Sequence, residues 1–212
     1  MKIYIIRHGE TDANKLGLFQ GRTDFPLNDY GVMLAEETGK GLSGIKFDAA
    51  YSSPLIRARQ TAEILLRETA SSCPLFFDDR LMEINAGDYE GRHFRPEYGE
   101  INADDIKMFF LDPLHLPPFP NGESVADVVG RTQEFLRELA AKSHKNVLVS
   151  THGCALRCML NGLYADPGDF WHGHVPYNCV INVVEAIGGE MKLVEDDKVY
   201  YDQSLCIDRF KV

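Results

Sequence analysis

Two histidines and two arginines stand at the ends of apolar runs. IYII leads into Arg7-His8-Gly9, AAYSS leads through Pro54 to Arg57, and VLVS runs into Thr151-His152-Gly153. Continuous apolar runs of this length, bounded by polar residues, predict buried strands. In an open α/β sheet, ligands bind beyond the carboxyl ends of the strands, so the three segments converge at one sheet edge. Arginine matches phosphate oxygens with a planar fork, and helix N-termini following each strand add backbone N–H groups that favour an anion. The constellation reads as a phosphate pocket.

The pocket carries neither a GxxxxGK[ST] loop nor an acidic DxD pair beside the first strand to hold magnesium. Phosphoryl transfer without a metal needs cationic side chains for the developing charge and a protein nucleophile that divides the reaction in two. His8 is that candidate nucleophile, and Arg7 and Arg57 disfavour its imidazolium form. A leaving alkoxide also needs an acid. Spacing alone leaves five candidates: Glu10, Asp12, Glu83, Asp88 and Glu90.

The elements that position these residues follow from local signals. Lys2 to Ile6 predicts a strand, Gly17 to Pro26 a long polar loop, and Asn28 the cap of a helix to about Leu42. A strand at Phe47 to Ser52 precedes Ser53-Pro54, an N-cap and a first-turn proline for a helix to about Thr69. A short strand spans Leu75 to Phe77. Asp104 to Leu111 is a candidate helix within the irregular Arg92 to Pro120 segment, where prolines cluster. Ser124 with Asp127 forms a capping box for a helix to about Lys142, Asn146 to Ser150 is a strand, and Cys154 to Leu163 a helix. Three strands fill the tail, at Val180 to Val184, Met191 to Val194 and Val199 to Tyr201. The alternation predicts a three-layer α/β/α sandwich with a mostly parallel central sheet, one domain over residues 1–212, and 92–120 as a lid or substrate-selecting insertion.

Composition narrows the partners. The 212 residues are 44% hydrophobic and 25% charged, with a net charge of −10. An acidic chain has no general attraction for nucleic acid or anionic membrane, so positive charge for a phosphate ester has to be local. No apolar stretch reaches membrane length. Five irregularly spaced cysteines without a CxxC argue against a disulfide framework or zinc site and fit reduced thiols in the cytoplasm. His172 and His174 flank Gly173 next to Trp171 without an evident third ligand, so no metal is expected, and no cofactor. Phe109, Phe110 and Phe119 read first as lid or core packing, with selection of an apolar leaving group as a second reading.

Taken together, RHGET (Arg7 to Thr11), FQGRTDFPLNDYG (Phe19 to Gly31), YSSPLIRARQTA (Tyr51 to Ala62), LMEINAGDYEG (Leu81 to Gly91), PNGES (Pro120 to Ser124) and STHGCALR (Ser150 to Arg157) resemble, in order, the histidine phosphatase superfamily in its phosphoglycerate-mutase-like branch. The resemblance implies a phosphohistidine on His8, a phosphoryl clamp of Arg7, Arg57 and His152, and Glu83 as proton donor. It further implies Asn14, Gly21, Gly153 and Asn178 at the phosphate or substrate. The Ile84 to Pro120 segment has no Arg-Arg pair of the kind by which glycolytic mutases grip a second anion. The resemblance therefore leans to a metal-independent phosphomonoester hydrolase acting on a small phosphorylated metabolite, as monomer or homodimer. The alternative is a bisphosphoglycerate-dependent phosphoglycerate mutase.

Overall fold

The computed structural model describes residues 1–210. Six strands form one sheet: β1 (Lys2–Arg7), β2 (Ala49–Ser52), β3 (Leu75–Phe77), β4 (Asn146–Thr151), β5 (Ile181–Ile187) and β6 (Glu190–Lys198). Their spatial order is β3-β2-β4-β1-β5-β6. The β1–β4, β2–β4 and β2–β3 pairs are parallel, whereas β5 runs antiparallel to both β1 and β6. The three chemistry-bearing strands are thus parallel neighbours, β2-β4-β1, and their carboxyl ends meet.

Alternation along β1 divides the core between the two faces of the sheet. Tyr4 and Ile6 pack with Leu34 and Leu42 from the segment around α2 (Asp29–Gly41) and with Ala62 and Leu65 of α3 (Ile56–Glu68). Ile3 and Ile5 pack on the opposite side with Phe135, Leu136 and Leu139 of α5 (Val125–Ala140) and Leu156 and Met159 of α6 (Gly153–Leu160). That arrangement is the expected three-layer sandwich. A third cluster, rich in aromatics, joins Phe19, Phe94, Phe109, Phe119 and Trp171. It draws on the Arg92 to Pro120 segment, which contains helix α4 (Ala103–Leu111) capped by Asn102.

Most helix ends follow their sequence signals. Asn28 accepts from the Gly31 amide at the start of α2, and the Ser124–Asp127 capping box opens α5. The start of α3 differs from expectation. Its N-cap is Leu55, which has no side chain to cap with, and the Ile56 amide instead donates to Asp24 Oδ1 of the long loop at 2.7 Å. Ser53 faces the site, as described below. A short helix, α1 (Asp12–Leu16), follows β1 directly through a Thr11–Asn14 capping box. The tail forms two strands rather than three, with Val199 to Tyr201 outside both. Among the described residues no helix is long and apolar enough to cross a membrane.

Candidate active site

His8 lies one residue beyond β1 and is almost wholly buried. Its Nδ1 is 2.7 Å from the Gly9 carbonyl oxygen. A carbonyl only accepts, so Nδ1 carries the proton and the lone pair resides on Nε2. Burial, and then the positive charges of Arg57 and Arg7, hold the imidazole well below its ordinary pKa of 6.5. The ring is thereby kept neutral, as a nucleophile requires. Asn178 Nδ2 donates to the His8 carbonyl at 3.0 Å and lies 3.5 Å from Asn14 Oδ1, which fixes the backbone here.

His8 lines a cavity of about 50 Å³ together with Arg7, Asn14, Gln20, Glu83 and Gly153. That volume exceeds the roughly 10–15 Å³ that a single water needs, so the cavity has room for more than one water. Arg7 is buried, and burial pushes its pKa down to about 10 although Glu83 acts in the opposite direction. Its Nη1 donates to the Pro176 carbonyl, while its Nε has no hydrogen-bond partner among the described residues. A buried guanidinium beside a cavity, with one N–H left unspent, favours an anion. Gly153 keeps this approach open, since a Cβ there would stand 3.4 Å from Arg7 Nε.

Of the five acids left open by spacing, Glu83 is the one that lines the cavity. Its Oε1 accepts from the amides of Ile84 (2.9 Å) and Ala155 (3.0 Å), and its Oε2 from that of Cys154 (3.1 Å). The carboxylate therefore sits at the N-terminus of α6, where His152 makes no side-chain cap. The other four are otherwise engaged. Glu10 pairs with Arg209 and Asn28, Asp88 accepts from Asn121, and Asp12 lies in the first turn of α1. Glu90 accepts from the amides of Gly21, Arg22, Thr23 and Ala86 and from the Thr23 hydroxyl.

Arg57 and His152 form a fully buried layer beneath the cavity rather than part of its lining. The His152 ring meets that of His8 edge-on, with centroids 5.1 Å apart. Arg57 Nε donates to His152 Nδ1 at 3.2 Å, which leaves the proton on Nε2 to be donated to Ser53 Oγ at 2.8 Å. Burial first, and then Arg57, keep the His152 pKa far below 6.5. The Arg57 terminal nitrogens hold the loop, Nη2 to Gly21 O at 2.7 Å and Nη1 to Thr23 O at 2.9 Å. Burial lowers its pKa to about 10. Gly21 and Asn178 likewise support the cavity from outside it.

The helix N-termini expected to favour an anion are largely spent on protein carboxylates, α3 on Asp24 and α6 on Glu83. Three contributors escaped sequence reasoning. Ser53 carries a helix-cap signature yet holds His152, Gln20 accepts from Thr11 Oγ1 beside the cavity, and Phe210 reaches it from the C-terminal end. No local signal marks Phe210. The His172 ring packs at a tilt against Tyr164, and that of His174 stacks on Tyr177. No cluster of three or more His, Cys, Asp or Glu side chains is placed to hold a metal ion among the described residues.

A parallel sheet that brings a neutral histidine, a buried arginine and a glutamate to one small cavity defines an α/β protein built to receive an anion. The chain belongs to the histidine phosphatase superfamily (branch 1), whose family model matches residues 3–197. It is 31% identical over 210 residues to a putative phosphoserine phosphatase 2 of Hydrogenobacter thermophilus, covering 96% of this chain and 98% of the relative. It is 33% identical over 181 residues to an adenosylcobalamin/alpha-ribazole phosphatase of Escherichia coli, covering 84% and 87%. Proteins named as phosphoglycerate mutases match too, at 32% identity. Among solved structures, Bacillus stearothermophilus YhfR superposes with a TM-score of 0.85 at 30% identity, covering 93% of this chain and 97% of that one.

Proposed function

We propose that this histidine phosphatase hydrolyses phosphomonoesters in two steps through a phosphohistidine on His8, without a metal. The observation that carries the reading is the His8 ring. It is protonated on Nδ1 toward the Gly9 carbonyl, neutral, and set on a cavity that also holds Arg7 and Glu83. In the first step Nε2 attacks phosphorus, the ester P–O bond breaks, and Glu83, carrying a proton, delivers it to the leaving alkoxide. In the second, Glu83 takes a proton from water, whose oxygen attacks phosphorus as the P–N bond breaks. Inorganic phosphate leaves, and His8 and Glu83 return to their starting states.

Arg7 neutralises charge on the phosphoryl oxygens from the cavity side. Arg57 and His152 complete the clamp by exchanging their contacts with Gly21, Thr23 and Ser53 for phosphoryl oxygens. Asn14, Gly153 and Asn178 fix the geometry of the cavity, and Gly21 fixes the loop over Arg57. Residues 92–120 form a substrate-selecting lid within a single domain of 1–212. The substrate is a small phosphorylated metabolite, and the free thiols suit a reducing cytoplasm.

The mutase reading requires a second anion on the substrate. Arg7 is the only arginine or lysine on the cavity wall among the described residues, which favours hydrolysis. A phosphomonoester panel assayed in EDTA, with His8→Ala and a parallel phosphoglycerate mutase assay, tests the choice. Hydrolysis that survives the chelator and disappears in the variant is expected. Activity lost to EDTA, or isomerisation that depends on bisphosphoglycerate without hydrolysis, would contradict it.

A further inference from the structure

The cavity has a polar floor and aromatic walls. Beyond the polar side chains of Arg7, His8, Asn14, Gln20 and Glu83, its lining is mostly apolar, and six aromatics dominate it: Phe19, Phe94, Phe109, Phe110, Trp171 and Phe210. The one polar atom on these six side chains, Trp171 Nε1, is spent on the Phe109 carbonyl at 3.0 Å. A leaving group that enters this space finds ring faces and edges but no cation beyond the phosphoryl site. A carboxylate or second phosphate there would be desolvated and unpaired.

Phe210 adds a wall from a part of the chain far from the other aromatics in sequence. Phe210 stacks on Phe94 with centroids 5.3 Å apart and planes at 15°, and its ring lies against the Arg7 guanidinium at 5.1 Å. Arg209 beside it pairs with Glu10 at 2.7 Å, and the Glu10 side chain is itself buried. The nucleophile motif thus anchors the tail that walls the cavity.

From this placement we infer that the site takes phosphomonoesters of uncharged, apolar or aromatic alcohols and discriminates against anionic leaving groups, with Phe210 as a specificity-determining residue. This inference rests on the phosphatase reading for its chemistry, but its geometric content is testable by binding alone. Trp171 is the only tryptophan of the chain and lines the cavity, so its fluorescence reports occupancy directly.

The experiment titrates the full chain with benzylphosphonate and with 3-phosphonopropionate, neither of which is hydrolysed, with calorimetry as a second readout. Benzylphosphonate is expected to bind at least about tenfold more tightly. Phe210→Ala should shrink that ratio, and Phe210→Arg should move it toward the carboxylated ligand. For benzyl phosphate turnover, Phe210→Ala should raise KM more than it lowers kcat, which a merely structural loss would not do. Tighter or equal binding of 3-phosphonopropionate, binding of neither, or a ratio insensitive to Phe210 would overturn the inference. If the phosphonates rank as expected while no phosphomonoester is hydrolysed, the phosphatase reading falls and the selectivity stands. Brisk hydrolysis with the opposite ranking sinks the selectivity alone.

Discussion

Burial, Arg57 and Arg7 act on His8 in the same direction, and all disfavour the protonated ring. The acid limb of kcat/KM should therefore lie below pH 6.5, the ordinary histidine value, because activity is lost only as His8 gains a proton. Arg57→Gln removes one of these charges, so it should move that limb upward while lowering kcat/KM. An unmoved limb would detach Arg57 from His8. Glu83 carries a different expectation. Glu83→Gln should cost about 10²–10⁴-fold on alkyl phosphates and much less on nitrophenyl phosphate, whose leaving group needs little protonation. Equal losses on both would remove Glu83 from proton transfer. That His8, Arg7, Arg57 and His152 come together was legible from strand ends and residue type. The choice of Glu83 was not, because Glu10 and Asp12 beside His8, and Asp88 and Glu90 beside Glu83, are equal candidates by spacing, and only three-dimensional contacts, or a family resemblance, separate them.

At the level of elements, the Gly17 to Pro26 loop is held on one side by Arg57 and on the other by Glu90. Gly21 sits where these grips meet. A Cβ there would lie 2.2 Å from Ile84 O and 2.3 Å from Glu90 Oε1. Gly21→Ala should destabilise the fold by about 1–3 kcal/mol and release the loop, read as a lower urea midpoint and a fall in kcat/KM. A variant of unchanged stability and rate would show that the loop tolerates displacement. The PNGES motif acts in a similar way on the Glu83 segment. Glu123 bridges Arg22 and Arg131, both of which donate to the Glu83 carbonyl, and accepts from the Asn85 amide. Strands and helices were legible because their periodicities and caps are local. The start of α3 was misjudged because Ser53 satisfies a local capping rule yet finds a stronger partner in His152, 99 residues away. The Val199 to Tyr201 run has strand-forming residues but lies outside both tail strands, and Tyr201 is spent on the Asn178 carbonyl.

Across the whole molecule, a chain of net charge −10 concentrates buried positive charge beneath one small cavity. That concentration has a cost in acid. His8 and His152 both stay neutral in the folded state well below 6.5, whereas the unfolded chain takes up protons near that value. The unfolded state then binds more protons, so stability should fall as pH drops below about 6.5. Urea midpoints measured across that range check the sign; stability rising on acidification would contradict the buried neutral pair. Inorganic phosphate should raise the midpoint by occupying the site. The mostly parallel sheet, the two helical layers and the convergence of β1, β2 and β4 followed from the alternation of elements and from what stands at the strand ends, whereas the strand order came only from the structure. Of the aromatic wall, Phe109 and Phe110 were singled out but Phe210 was not, because it meets Arg7 across nearly the whole chain length and Phe94 across about half of it, and no short-range pattern encodes such contacts. Phosphoryl transfer through His8 is tested most directly by rapid quenching during turnover of a phosphomonoester, followed by mass analysis of the peptide that carries His8. One phosphoryl group is expected on that histidine, labile in acid, stable in alkali, and absent from His8→Ala. Turnover without any such adduct under single-turnover conditions, or an adduct on another residue, would contradict transfer through His8.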